Sequence, residues 1–254
     1  MMEALYYGER QIGFLILDMS RHINSIHAGI RRIVSNIFRS IDLMNKIQHQ
    51  KTELVDSIAK LKETLEGIIK TLSVTVENRD PYTAGHQRRV AELSIGIGRE
   101  MMLDDDQLEE IRVAALLHDI GKMYISAEIL NKPGKLKPIE FELIKLHAEE
   151  GYNTLKNIEF PWPVAEIVFQ HHERCDGSGY LRGLKGDELL LAARIISVAD
   201  VVEAITSMRP YRAALGLDVA LDEITKFRGT RFDADVVNAA VRLFGSGSFQ
   251  WSES

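Results

Sequence analysis

Ala114-Ala115-Leu116-Leu117-His118-Asp119-Ile120-Gly121-Lys122 is an apolar helical face that runs into a histidine, an aspartate and a lysine. Adjacent His and Asp side chains can share a cation if the helix ends there and lets both turn inward. Gly121 permits close backbone approach, and Lys122 offers a point charge suited to phosphate. By itself the dipeptide reads more simply as a helix C-terminus with a histidine beside the last carbonyls. The stretches on either side of it decide between the two.

Upstream, Thr83-Ala84-Gly85-His86-Gln87-Arg88-Arg89-Val90 opens a helix whose apolar side continues through Leu93 and Ile97. Downstream, His147 closes Leu143-Ile144-Lys145-Leu146, and His171 and His172 end a helix from Val164. Asp200 lies inside Ile195-Ile196-Ser197-Val198-Ala199-Asp200-Val201-Val202. Each follows apolar residues on a face that should point inward. A buried carboxylate such as Asp200 is costly unless paired or bound to a cation. Singly, each histidine reads as a hydrogen-bonded core residue. Together, His86, His118, His147, His171 and His172 with Asp119 and Asp200 exceed any structural need and suffice for two metal ions sharing one bridging carboxylate.

Further out, a long helix without proline is expected from about Asn24 to Asn78. Its apolar residues recur at three and four: Ile23, Ile26, Ile30, Ile33, Ile37, Met44, Ile47, Leu54, Ile58, Leu61, Leu65, Ile68 and Leu72, interrupted only by Ser40, Lys51 and Thr75. A stripe that narrow over seven heptads predicts a coiled coil and a homodimer through it. The other reading is an amphipathic helix lying on its own globular domain. Isoleucine at many first-core positions suits a parallel dimer, although isoleucine at both core positions also favours higher states.

Asn78-Arg79-Asp80-Pro81 should end the helix, since the residue before proline is pushed out of the helical region. Residues 11–18 read as a mostly buried strand, either docked or the last strand of a truncated sensory domain. From Tyr82 to Phe244 the patterns are helical, and Gly245-Ser246-Gly247-Ser248 begins a loose tail. The expected organisation is therefore 1–22 strand-like, 23–78 coiled-coil signalling helix, 79–245 all-α catalytic domain and 246–254 tail.

Composition narrows the chemistry. The 254 residues, 45% apolar and 27% charged, can bury one substantial core. The formal charge of −6 argues against a nucleic-acid polymer as partner, because such binding draws on lysine and arginine. A small anion remains possible where metal ions or a local positive patch overcome the field. No apolar run approaches the roughly 18 residues of a membrane span. The absence of a basic, then apolar, leader argues against secretion. The single cysteine, Cys175, suits a reducing cytoplasm.

The motifs in this order resemble the HD-GYP family of the HD phosphohydrolase superfamily over roughly Asn78 to Phe244. The matching stretches are His118-Asp119-Ile120-Gly121-Lys122, Ile129-Leu130-Asn131-Lys132-Pro133-Gly134-Lys135-Leu136, His147 with Gly151, His171-His172-Glu173-Arg174 with Asp176-Gly177-Ser178-Gly179-Tyr180, and Ala199-Asp200 with Arg209-Pro210-Tyr211-Arg212. The resemblance implies an HD-type helical bundle with two divalent ions, commonly iron or manganese. His86, His118, Asp119 and Asp200 would hold one, and His147, His171 and His172 the other, with Asp119 bridging. It further implies hydrolysis of cyclic di-GMP to linear pGpG, in some members onward to GMP. A water acidified between the cations would attack phosphorus, and Lys122 would contact phosphate. Arg209 and Arg212 are candidate further contacts. Asp176 and Gly177 would shape the site, and Tyr180 could stack on a guanine or pack against the helices.

Three positions depart from the family pattern. Leu181 replaces its proline, Tyr82 stands where some members place a glutamate for a third metal, and Glu203 replaces a common aspartate. None deletes an implied ligand. Three rival functions remain: a receptor that holds cyclic di-GMP but turns over slowly, a phosphohydrolase of another cyclic dinucleotide, and a structural dimerisation protein, which would leave seven inward polar residues without a reason.

Overall fold

The computed structural model describes residues 2–7, 10–16, 24–79, 84–132, 134–207, 214–247 and 249–251. Arg209, Arg212, Pro210, Tyr211, Tyr82 and Pro133 lie outside them. The chain divides into two compact units, Met1–Leu65 and Glu66–Ser254.

The first unit begins with an antiparallel hairpin, β1 (Met2–Tyr7) paired to β2 (Arg10–Ile16), with an irregularity at Leu5/Tyr6. The strand expected over 11–18 is thus one of a pair. It is not mostly buried either, since Phe14 and Ile16 are 59% and 73% exposed. The missed signal is the short Gly8-Glu9 link between two runs of strand formers.

The long helix α1 (Asn24–Glu77) forms as expected. Of the repeating stripe, Ile33, Ile37, Met44, Ile47, Leu54, Ile58, Leu61, Leu65 and Ile68 are exposed, while Ile30 is half-buried and Leu72 is half-buried against the core. In the second unit the end of α1 seats a different face, with Ile69, Ser73 and Val76 buried in the core. The helix stops where asparagine, arginine and the coming proline stop it; Asn78 and Arg79 close the last turn on the carbonyls of Val74 and Val76.

The second unit is all-α among the described residues. Its helices are α2 (His86–Glu100), α3 (Asp105–Leu117), α4 (Ala127–Leu130), α5 (Pro138–Leu155), α6 (Val164–Gln170), α7 (Leu191–Thr206), α8 (Leu217–Lys226) and α9 (Ala234–Gly245). Local chemistry sets several boundaries. Asp104 and Gln107 form a reciprocal capping box at the start of α3, Asp233 accepts from the Asp235 and Val236 amides at the start of α9, and Pro138 opens α5.

The apolar helix α7 lies at the centre, with Ile195, Ile196, Val198, Ala199 and Val202 all sealed from solvent. Helices α2, α3, α6, α8 and α9 pack around it, and α5 packs on α6. No helix among the described residues is long and apolar enough to cross a membrane.

Candidate metal centre

Helix ends deliver the polar groups inward. His86 is the first residue of α2, His118 caps the end of α3, and His171 caps the end of α6. After His118 the chain tightens into a 3-10 turn over Ile120–Tyr124, which turns Asp119 toward the same point. Two helices contribute from their interiors, His147 from α5 and Asp200 from α7. Gly121 makes this convergence possible. A Cβ there would lie 1.9 Å from the His147 carbonyl oxygen and 2.5 Å from the Gly151 nitrogen, so only glycine lets the turn lie against α5.

The side chains gather into two adjoining triads, His86–His118–Asp119 and His147–His171–His172; in each, the candidate ligand atoms lie within 4.8 Å of one another. Asp119 faces both. Its Oδ2 is 3.4 Å from His118 Nε2 and 3.7 Å from His86 Nε2, while its Oδ1 is 3.4 Å from His147 Nε2. Asp200 adjoins the first triad, with Oδ1 3.3 Å from His86 Nε2. Every one of the seven residues expected from the sequence is therefore in one cluster.

The donor set fits cations. His118, His147 and His171 each commit Nδ1 to a backbone carbonyl of the preceding turn, those of Ala115, Ile144 and Val168 at 2.7, 2.7 and 2.5 Å. That fixes the proton on Nδ1 and leaves the Nε2 lone pair directed at the cluster. His147 Nε2 and His171 Nε2 are 3.2 Å apart. Burial lowers the pKa of both rings, so two neutral lone pairs face each other, an arrangement that a cation between them resolves. Burial also holds His172 well below the ordinary histidine value, with His171 and His147 adding to it.

The carboxylates are held ionised. Burial opposes the charge on Asp119, but Lys122 and the surrounding histidines outweigh it and keep the group well below the usual carboxylate range; Lys122 Nζ is 2.7 Å from Asp119 Oδ2. Asp200 is likewise held low against burial, chiefly by His86. His86 is the exception among the rings: burial lowers it, yet Asp200 and Glu203 together push it up to about 9. A proton on His86 balances the charge of those two acids.

Two buried acids to which the sequence assigns no role, Glu203 and Glu173, support this cluster and the loop beside it. Glu203 is fully buried and hydrogen-bonds His86 Nδ1 through Oε2. Its Oε1 accepts from Arg89 Nε at 2.8 Å, Arg89 Nη2 at 2.6 Å and the Ser207 hydroxyl at 2.6 Å. Its signal was present, since Glu203 follows Asp200 by three on one helix and shares its face. Glu173 is buried and accepts from the Arg182 and Gly183 amides at 2.8 and 3.1 Å, pinning the loop after the paired histidines.

Within that loop Asp176 accepts from the Ser178 amide and Gly177 takes a left-handed turn, so both shape the loop's own path. Tyr180 reaches the cluster, its ring 4.8 Å from that of His172 and tilted 34°. Leu181, in the place of the family proline, has φ +93°, a value no proline ring adopts.

A helical bundle with a clustered His-Asp pair at its heart defines a protein of the HD class. The HD domain family matches residues 70–236, and the chain belongs to it. The chain is 43% identical over 157 residues to the 3'3'-cGAMP-specific phosphodiesterase 3 of Vibrio cholerae, covering 62% of this chain and 34% of that protein. It is 42% identical over 178 residues to the cyclic di-GMP phosphodiesterase of Thermotoga maritima, covering 69% and 48%. Against a cyclic di-GMP phosphodiesterase of Pseudomonas aeruginosa it is 34% identical over 227 residues, covering 89% and 54%. The chain thus spans about a third to a half of the length of these relatives.

A solved HDG"Y"P protein from Bdellovibrio bacteriovorus superposes with a TM-score of 0.52 at 20% identity, over 63% of this chain and 51% of that one. That likeness speaks for the fold alone. These relatives bear out the HD-GYP resemblance carried by the motifs.

Proposed function

We propose that the chain is a metal-dependent phosphodiesterase that opens cyclic di-GMP to linear pGpG, with GMP as a further product. The observation that carries the proposal is the division of Asp119 between two histidine triads, one carboxylate oxygen toward each. His86, His118, Asp119 and Asp200 would hold one divalent ion, and His147, His171 and His172 the second, with Asp119 common to both. Iron and manganese suit this mixed imidazole and carboxylate set. When bound, such ions supply Lewis acidity toward a phosphodiester and lower the pKa of water.

The chain's own groups do the rest. Lys122, 15% exposed at its side chain and paired with Asp119, would meet a phosphate oxygen at the rim. Tyr180 offers a ring face beside His172 for a base, with Lys145 Nζ 5.5 Å from the same ring. The Nδ1–carbonyl bonds keep the rings from turning, so the donors are set before substrate arrives. Asp176 and Gly177 support this loop, and Arg209 and Arg212 are proposed as further phosphate contacts.

We propose a homodimer formed by the exposed stripe of α1. Parallel, in-register pairing sets each polar seam residue, Ser40 and Lys51, against its own copy; a slip of one heptad would bury Lys51 against Met44 or Ile58. A single lysine in such a seam specifies register at some cost in stability. An upstream sensory domain is the partner proposed for the N-terminal end, in keeping with relatives longer than this chain. A cytoplasmic setting accords with the one free cysteine.

The test is anaerobic purification, metal analysis and chromatography of products from cyclic di-GMP and, in parallel, 3'3'-cGAMP, the substrate named for one relative. Two ions per chain and linear pGpG are expected, and Asp119→Ala should abolish both. Bound metal with no linear product from either dinucleotide would instead establish a receptor. Faster opening of 3'3'-cGAMP would move the substrate assignment to the mixed dinucleotide.

A further inference from the structure

We propose that Glu77 and Arg79, at the end of α1, are positioning residues for the metal centre, acting through backbone groups on both segments that bear its first ligands. The inference rests on His86, His118 and Asp119 being ligands. Glu77 is the last residue of α1 and half-buried. Its Oε2 accepts a hydrogen bond from the Gly85 amide at 2.9 Å. Gly85 is the N-cap of α2, the residue directly before His86, and has φ +69°. Its amide precedes the helical ladder and has no carbonyl of its own helix to meet. Glu77 supplies that acceptor, and so fixes where α2 starts.

The first residue of α2 is thereby held from two directions. The backbone before it is tied to α1 through Glu77, and the ring beyond it is tied to α7 through Glu203. Arg89 closes the arrangement, donating to the Ala84 carbonyl at 3.0 Å and to Glu203 at 2.6 Å. A ligand held only at its ring could pivot with the start of α2; held at both ends it cannot.

Arg79 makes the second tie. Its Nη1 donates to the Met123 carbonyl and its Nη2 lies 3.5 Å from the Ile125 carbonyl. Its own carbonyl accepts from Asn131 Nδ2 at 3.4 Å. Met123 belongs to the 3-10 turn that follows Asp119 and carries Lys122. The same short stretch of chain therefore grips the segment that delivers His118, Asp119 and Lys122. With Ile69, Ser73 and Val76 buried in the core, this end of α1 is a fixed strut against which two of the three ligand-bearing segments of the first triad's neighbourhood are set. Neither Glu77 nor Arg79 is among the clustered ligand candidates, so their effect is on placement.

A purely structural tie would lower the melting temperature and change nothing else. A positioning tie at Glu77 makes a different demand: the ion held by His86 should suffer, and the ion held by His147, His171 and His172 should not. The experiment is calorimetric titration of Mn(II) into the chelator-stripped full chain. Glu77→Ala is expected to weaken one binding event by about tenfold, the lower end for loss of an outer-shell partner, and to leave the other within twofold. Glu77→Gln should restore the affected event, because its amide oxygen still accepts the Gly85 N–H. Arg79→Ala and Arg79→Lys disturb the segment that bears the shared Asp119, so each is expected to weaken both events, the lysine like the alanine because a single ammonium cannot span two carbonyls; unchanged binding of both events in these variants would remove Arg79 from the inference.

Should Glu77→Ala fail to fold, Glu77→Asp, one methylene shorter, carries the same expectation. Wild-type protein that takes up no manganese would sink the metal centre itself. Wild-type uptake in two events that Glu77→Ala and Glu77→Asp reproduce within twofold would overturn this inference alone. So would equal weakening of both events by Glu77→Ala, or a Glu77→Gln variant as impaired as the alanine.

Discussion

Gly121→Ala is expected to break the centre by separating two backbones. A Cβ on Gly121 would stand 1.9 Å from the His147 oxygen, 2.8 Å from the His147 carbonyl carbon and 2.5 Å from the Gly151 nitrogen. Real Cβ atoms essentially never come within 3.0 Å of such neighbours. All three obstacles are main-chain atoms inside α5, which cannot swing aside as a side chain could. The turn and the helix must therefore part by about an ångström, at the upper end of overpacking costs, about 3 kcal/mol.

The same movement opens the 3.4 Å approach of His147 Nε2 to Asp119 Oδ1, the contact that joins the two triads. A misplacement of about 1 Å costs on the order of 100-fold in rate. Thermal unfolding, manganese content and turnover of cyclic di-GMP are the readouts. About 1 kcal/mol shifts the midpoint of a chain this size by roughly 2–4 °C, so a fall of about 6–12 °C is expected, with one ion lost. Gly67→Ala is the matched control: it lies mid-helix in α1 with nothing within 4 Å and should stabilise by about 0.5–1 kcal/mol. A Gly121→Ala protein with wild-type midpoint, metal content and rate would refute the close approach and the geometry built on it.

Glu203→Ala removes the partner of His86 Nδ1 and leaves Arg89 without its carboxylate, holding only the Ala84 carbonyl; metal affinity should drop about 10- to 100-fold, read by competition with a fluorescent chelator. Lys122→Ala should lower turnover by about 100-fold or more while the protein keeps its metal, so equal loss of metal would make Lys122 structural. Adding Mn(II) to stripped protein at about 100 times its dissociation constant should stabilise it by about 2.7 kcal/mol per site, seen as a rise in melting temperature that EDTA reverses. Lys51→Ile should raise the thermal stability of the α1 assembly and admit oligomers beyond the dimer; sedimentation that shows an unchanged monomer for both proteins would remove the seam as an interface.

Much of this molecule is written locally. The spacing of the α1 stripe fixes a long helix whose outline the structure reproduces at both ends, and the residues that bury its end, Ile69 and Val76, lie off that stripe. The caps of α3 and α9 are likewise local chemistry. The clustered histidines and aspartates were legible as candidate ligands because imidazoles and carboxylates that close apolar helices have few other reasons to be there.

The hairpin of residues 2–16 was half missed, because the pairing of two short strands depends on a link of two residues rather than on either strand's own pattern. Glu203, Glu77 and Arg79 were missed for a related reason. Their roles come from partners far away along the chain, at His86, Gly85 and Met123.

The sequence by itself determined which side chains could bind cations and which helices would bear them, since periodicity and residue chemistry are properties of a few neighbouring positions. Tertiary structure alone decided that Asp119 would turn one oxygen toward each triad, that a glycine would let the turn lie against α5, and that the end of α1 would grip both ligand-bearing segments. Those facts depend on distances between parts of the chain that only packing brings together.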